Sequence, residues 1–233
     1  MKFQKNLLII WFNWFKNNFN TYFMEFVKKI HQETYNNVIV SYTKYLYQSF
    51  LKRIDNGSSI VDIGIGNGEA LLTSENIKLI KDKDLMICGF DVNQDYLKNC
   101  QRLIKENKLE KRIFCFEKDL SKENFNFDKK VDYVYFSNSY AVIPEVSKLL
   151  KNIVKIFQPD KIVISITLSD NEVDKFIKPY AKYLMLGVDF GRAITRKEFM
   201  VEMKDYRLVR EELTYENESL LRTFKIFTFY FLT

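Results

Sequence analysis

From residue 59 onward, apolar positions fall in short unbroken runs separated by amphipathic stretches. Ser59–Ile63, Leu85–Phe90, Arg112–Phe116, Val131–Phe136 and Lys161–Leu168 are apolar on both faces, the pattern of strands covered on both sides. Between most of them, Glu69–Ile80, Gln94–Asn107 and Pro144–Phe157 repeat apolar residues at helical spacing. Alternating β-α-β units predict a mostly parallel, doubly wound sheet with helices on both faces. The link from Phe116 to Val131 is short and polar, so its helix is expected to be degenerate. After Leu168 the pattern changes. Asn171–Leu184 reads as a helix, followed by a loop through Asp189 to Arg192 and a helix from Arg196 to about Asp205. The runs Arg207–Tyr215 and Leu221–Leu232, joined by the polar turn Glu216–Ser219, read as a closing antiparallel hairpin.

Residues 1–57 have a different periodicity. Leu8, Phe12, Phe15, Phe19, Tyr22, Phe26 and Ile30 recur every three to four positions, with Lys16, Asn17, Asn20, Lys28 and Lys29 elsewhere on the wheel. A second amphipathic piece runs from about Asn36 to the stop at Asp55-Asn56-Gly57. The division is therefore a helical extension at 1–57 and an α/β domain at 58–233. Leu7–Phe15 imitates a signal peptide but lacks a small-residue cleavage site and is too short to span a bilayer. Two readings of residues 1–30 stay open: a helix docked on protein, and an interfacial membrane helix with Trp11 and Trp14 at headgroup level.

Composition adds bounds. In 233 residues, 47% hydrophobic content suffices for one sizeable core, and three prolines with seven glycines argue against disordered linkers. A net charge of +6 permits an anionic partner such as RNA or an acidic membrane but demands none, and no Lys/Arg block marks a nucleic-acid tail. Cys88, Cys100 and Cys115 have no metal-ligand spacing, which points to buried thiols in a reducing cytosol and to no metal.

The candidate chemistry sits where the first run ends. Asp62-Ile-Gly64-Ile-Gly66-Asn-Gly68 is a strand entering a glycine turn, and Asp91 ends the next strand 23 residues after Gly68. Glycines there let backbone approach a ligand, and a strand-tip carboxylate accepts two ribose hydroxyls. The pair predicts a nucleoside-containing cofactor.

In order, these motifs resemble the class I S-adenosylmethionine-dependent methyltransferases. Asp62–Gly68 resembles the family's first motif, Asp91 the acidic end of its second strand, Lys118-Asp119-Leu120 its third-strand tip, and Val131–Phe136 its fourth strand. The closing hairpin resembles the reversed seventh strand of that Rossmann-like, seven-stranded fold. The glycine spacing differs from the dinucleotide Gly-x-Gly-x-x-Gly, and a leading acid suits an ammonium rather than a pyrophosphate. The resemblance implies S-adenosylmethionine as cofactor and S-adenosylhomocysteine as product. It gives Gly64, Gly66 and Gly68 the role of making room for the cofactor. Asp62 would hold the ammonium, Asp91 with Val92 the ribose, and Asp119 with Leu120 the adenine. Ser137 and Asn138 would line the site, with Ser139, Tyr140 and Arg192 toward the acceptor. His31 and Tyr35, in a lid-like position, are the candidate catalytic residues.

The tip Phe136-Ser-Asn-Ser-Tyr140 lacks the Asn/Asp-Pro-Pro-Tyr/Phe of base N-methyltransferases. Asp189-Phe190-Gly191 matches a kinase metal motif by chance, since no other kinase motif accompanies it. Three functions fit these residues: a methyltransferase on a small-molecule or lipid-like acceptor, with a membrane-proximal acceptor as a variant; one acting on RNA or protein; and a non-catalytic binding subunit of the same fold.

Overall fold

The apolar runs become a seven-stranded sheet. In the computed structural model they are β1 (Ser59–Ile63), β2 (Met86–Asp91), β3 (Ile113–Glu117), β4 (Tyr133–Ser137), β5 (Lys161–Thr167), β6 (Arg207–Glu218) and β7 (Thr223–Leu232). The structure describes residues 39–122, 127, 129–168, 192, 194–218 and 223–233. The strand order is β3-β2-β1-β4-β5-β7-β6. Neighbours among β1 to β5 run parallel, while β7 is antiparallel to both β5 and β6. This is the expected Rossmann-like sheet with a reversed terminal hairpin. The order reverses between β2-β1 and β4, so a crevice opens at the carboxyl ends of those three strands.

The helices are α1 (Ser41–Arg53), α2 (Ser74–Asp82), α3 (Gln94–Glu106), α4 (Val146–Phe157) and α5 (Arg196–Glu202). Because strand side chains alternate, each sheet face has its own apolar layer. One layer joins Val61, Ile63, Val134 and Phe136 to Leu149, Ile153 and Phe157 of α4 and Phe199 of α5. The other joins Ile60, Tyr133 and Tyr135 to Phe50 and Leu51 of α1, Ile80 of α2 and Leu97 and Ile104 of α3. Phe50 stacks on Tyr135 with ring centroids 4.1 Å apart, and Arg53 pairs with Glu212 of β6 at 2.9 Å. Those two contacts fix α1 across the sheet.

One expectation needs correction. The helix after the glycine turn does not open at Glu69. Residues 69–73 form successive turns in which Ala70, Leu71 and Leu72 are buried, and α2 starts only after Thr73, whose hydroxyl accepts from Asn76 N at 3.4 Å. Thr73 is an N-cap, and N-caps set helix starts. The apolar triplet was core, not helix. Of the link between β3 and β4, residues 123–126 and 128 lie outside the described residues. The predicted helices within 1–30 and at Asn171–Leu184 lie outside the described residues, as do His31, Tyr35 and Asp189–Gly191.

Candidate active site

At the switch point the tips of β2, β1 and β4 enclose a cavity of about 470 Å³, a size that suits a small ligand. From the β2 end it is lined by Asp91, Val92, Asn93 and Tyr96. The glycine turn contributes Gly64, Ile65, Gly66, Asn67 and Ala70 to the floor. Ser137, Asn138, Ser139 and Val142 form the β4 end, and Ile39, Val40, Thr43 and Tyr47 lie across the top.

The turn is built to keep this floor in place. Gly64 N donates to Phe90 O at 2.7 Å, tying the end of β1 to β2. Gly68 has φ +80°, and a Cβ there would lie 2.7 Å from Cys100 Sγ and 3.0 Å from its Cα. So Gly68 holds the turn against α3 and does not line the cavity. Gly89 of β2, which the sequence reading passed over, leaves the space filled by the Ile65 side chain.

Asp91 Oδ2 accepts from Gly66 N and Oδ1 from Asn93 N, both at 2.9 Å. The carboxylate is thereby held rigidly at the cavity's β2 end. Asp62 is 1% exposed, and its Oδ2 accepts from the Tyr47 hydroxyl at 2.7 Å. Ser137 Oγ donates in turn to the Tyr47 oxygen at 2.8 Å. Asp62 Oδ1 is buried and has no hydrogen-bond partner among the described residues. Burial chiefly, opposed by the Tyr47 hydrogen bond and helped by the Asp91 charge, raises the Asp62 carboxyl to about 7. Burial and Asp62 push the Tyr47 phenol well above its ordinary range, so it stays a donor.

Asn138 is held at φ +64°, in the left-handed region that asparagine tolerates better than most residues. Its Nδ2 donates to the Tyr42 hydroxyl at 3.0 Å and its Oδ1 accepts from Thr167 at 3.3 Å. The Ser139 hydroxyl donates to Ile63 O.

Besides Gly68 and the buried Asp62, four sequence-predicted positions do not line the cavity. Asp119 turns away from the cavity to Ser121 and Lys122, and those partners, Lys122 foremost, hold its carboxyl below the usual range. Leu120 is buried in the core layer with Val61. Tyr140 is also core: its ring meets Phe136 and Phe199 edge-on, and its hydroxyl donates to Glu202 at 2.8 Å. Arg192 pairs with the same Glu202 at 2.8 Å. The short 3-10 turn Tyr140–Val142 reverses the chain after Ser139, so Val142 returns to the cavity and Tyr140 does not. Conversely, Tyr42 and Tyr47 went unassigned as polar groups. Their signal was faint: hydroxyls within an otherwise apolar helical stripe, which require partners once buried.

Cys100 and Cys115 sulfurs lie 3.4 Å apart as free thiols, and Cys88 is free as well. Burial raises the Cys88 thiol to about 12. Among the described residues no group of side chains could hold a metal ion, and no helix is long and apolar enough to cross a membrane.

Comparison with known proteins agrees with this geometry. The family described as Methyltransferase domain matches residues 54–215. The chain belongs to that family: it is a class I S-adenosylmethionine-dependent methyltransferase. Curated proteins give no sequence match. Among solved structures it is similar to the MccD protein, with TM-score 0.63 and 12% identity over 82% of this chain and 96% of that one. It is similar to geranyl diphosphate C-methyltransferase from Streptomyces coelicolor A3(2), solved with Mg2+, geranyl diphosphate and S-adenosyl-L-homocysteine (TM-score 0.60, 11% identity, 82% and 78% covered). The [4+2]-cyclase SpnF has TM-score 0.59 and 15% identity over 73% of this chain, which spans only 60% of that one.

S-adenosylmethionine fits the residues present. A fixed carboxylate stands at one end of the cavity and an unsatisfied carboxylate oxygen beneath the glycine turn, both complementary to a ribose and an ammonium.

Proposed function

We propose that the protein methylates a small-molecule or lipid-like acceptor held at the β4 end of the cavity. The observation that carries this reading is the roof. Ile39, Val40, Thr43 and Tyr47 lie across the strand tips, so the reacting space is a partly covered cleft of small-ligand size rather than a flat surface for a polymer. In the same proposal residues 1–57 form the cover of the site and residues 58–233 the cofactor-binding domain, with His31 and Tyr35 on the cover. The β4 end is lined by hydroxyl, amide and apolar groups, which suits a neutral acceptor. Similar folds whose names give a small-molecule acceptor, geranyl diphosphate C-methyltransferase and mitomycin 7-O-methyltransferase, support the same class.

When bound, S-adenosylmethionine supplies a methyl group already activated for displacement. The chain's own contribution is positioning. Asp91 orients the ribose, Asp62 anchors the amino group, and Ser137, Asn138 and Ser139 set the wall against which the acceptor lies.

The test is a transfer screen with methyl-labelled S-adenosylmethionine against metabolite, lipid, RNA and protein fractions. Label is expected in the metabolite or lipid fraction. Label confined to RNA or protein refutes the proposal, and no transfer to any fraction favours a non-catalytic role. A lipid product would call for vesicle flotation of the full chain against a 1–30 deletion.

A further inference from the structure

The family match begins at residue 54, yet the buried carboxylate of its first motif takes its hydrogen bond from residue 47. We infer that Tyr47 is part of the cofactor's ammonium site, fixing Asp62 so that its second oxygen receives the amino group and offering the ammonium its own hydroxyl oxygen. The inference rests on the family's cofactor.

The geometry leaves Tyr47 little freedom. Its ring is 3% exposed and meets Tyr135 edge-on at 5.5 Å. Its single proton is committed to Asp62 Oδ2, and one of its two lone pairs to the Ser137 proton. The other lone pair and Asp62 Oδ1 remain. Buried polar atoms without partners are costly, and Oδ1 has none among the described residues. Tyr47 and Ser137 both line the cavity beside Gly64, and Asp62 lies directly behind them, hydrogen-bonded to Tyr47.

The titratable groups facing Asp62 supply no positive charge, and one of them, Asp91, is a second carboxylate. Tyr47 comes from α1, Asp91 from β2, Tyr135 from β4 and Cys100 from α3, and none is positive. An ammonium has three donors for the acceptors on offer and supplies the missing charge. The carboxyl must be ionised to take it, so binding at low pH expels the proton that burial retains.

Two ligands separate this role from a packing role. S-adenosylhomocysteine carries the amino group; 5′-methylthioadenosine keeps the nucleoside and lacks the whole amino-acid portion. Titration calorimetry on the full chain and on Tyr47→Phe should show S-adenosylhomocysteine weakened roughly ten- to a hundred-fold, the worth of a hydrogen bond to a charged group. Methylthioadenosine affinity should be unchanged, which also certifies the variant's fold. In the unmodified chain S-adenosylhomocysteine affinity should rise with pH up to about 7, where Asp62 is ionised. In Tyr47→Phe the rise should move to higher pH, because the donor that favours the carboxylate is gone. Equal weakening of both ligands, weakening of neither, or an unmoved pH profile overturns the inference. Failure of the unmodified chain to bind either ligand instead overturns the cofactor assignment beneath it.

Discussion

Replacing Asp62 with asparagine removes a carboxyl that the fold keeps protonated near neutrality, and the effect on stability has a defined shape. The folded-state value is about 7 and the ordinary value is 3.8. Between those limits the folded chain holds a proton that the unfolded chain has lost, so stability falls as pH rises. The contribution is whole below the lower value, is lost through about pH 7, and is flat above. Each pH unit in the window is worth about 1.4 kcal/mol, so the two units from pH 5 to pH 7 amount to about 3 kcal/mol. Asp62→Asn has no such slope. Other groups titrate alike in both proteins and cancel in the difference. Urea unfolding of both proteins at pH 5 and pH 8 should therefore show the variant gaining about 3 kcal/mol relative to the parent, or about 1 M in midpoint. A difference constant across that range, or one moving the opposite way, would refute the buried, proton-retaining environment assigned to Asp62.

Gly68→Ala should cost about 2–5 kcal/mol, from backbone strain and a clash with the Cys100 backbone. Gly57→Ala, with φ +75° and nothing within 4 Å of a new Cβ, is its control and should cost about 1 kcal/mol; equal losses in denaturant melts would discount the packing argument. Phe50→Ala removes the ring stacked on Tyr135 and should cost about 3–5 kcal/mol, seen as a fall of roughly 6–20 °C in melting temperature. S-adenosylhomocysteine at a hundred times its Kd should raise the parent's melting temperature by roughly 5–10 °C; Asp91→Ala should abolish that shift, and a retained shift would mean the ribose is held elsewhere.

The strands were readable because β1, β4 and β5 are buried on both faces, which forces apolar runs with no polar alternation. The hairpin was readable from its length and its polar turn. The start of α2 was not, because Ala70-Leu71-Leu72 is as apolar in a buried turn as in a helix. Within the site, motif spacing places Gly64, Gly66, Asp91, Ser137, Asn138 and Ser139 at one cavity. It fails one residue later, at Tyr140, where a 3-10 turn changes direction in a way periodicity does not register. It fails again at Asp119, whose neighbours Ser121 and Lys122 compete for the carboxylate. Tyr47 lay beyond reach for another reason. Its partners are 15 and 90 positions away, and only the docking of α1 brings them together.

That docking has an evolutionary consequence. The floor of the cavity comes from the family's shared segment, whereas much of the ceiling comes from residues 39–47, which precede it. Phe50 and Arg53 clamp the helix at its far end, so the helix's anchorage does not depend on Ile39 or Thr43. On the proposed function, drift at these positions above the cavity would alter which acceptors are admitted, so acceptor range is the trait this architecture would let selection revise first.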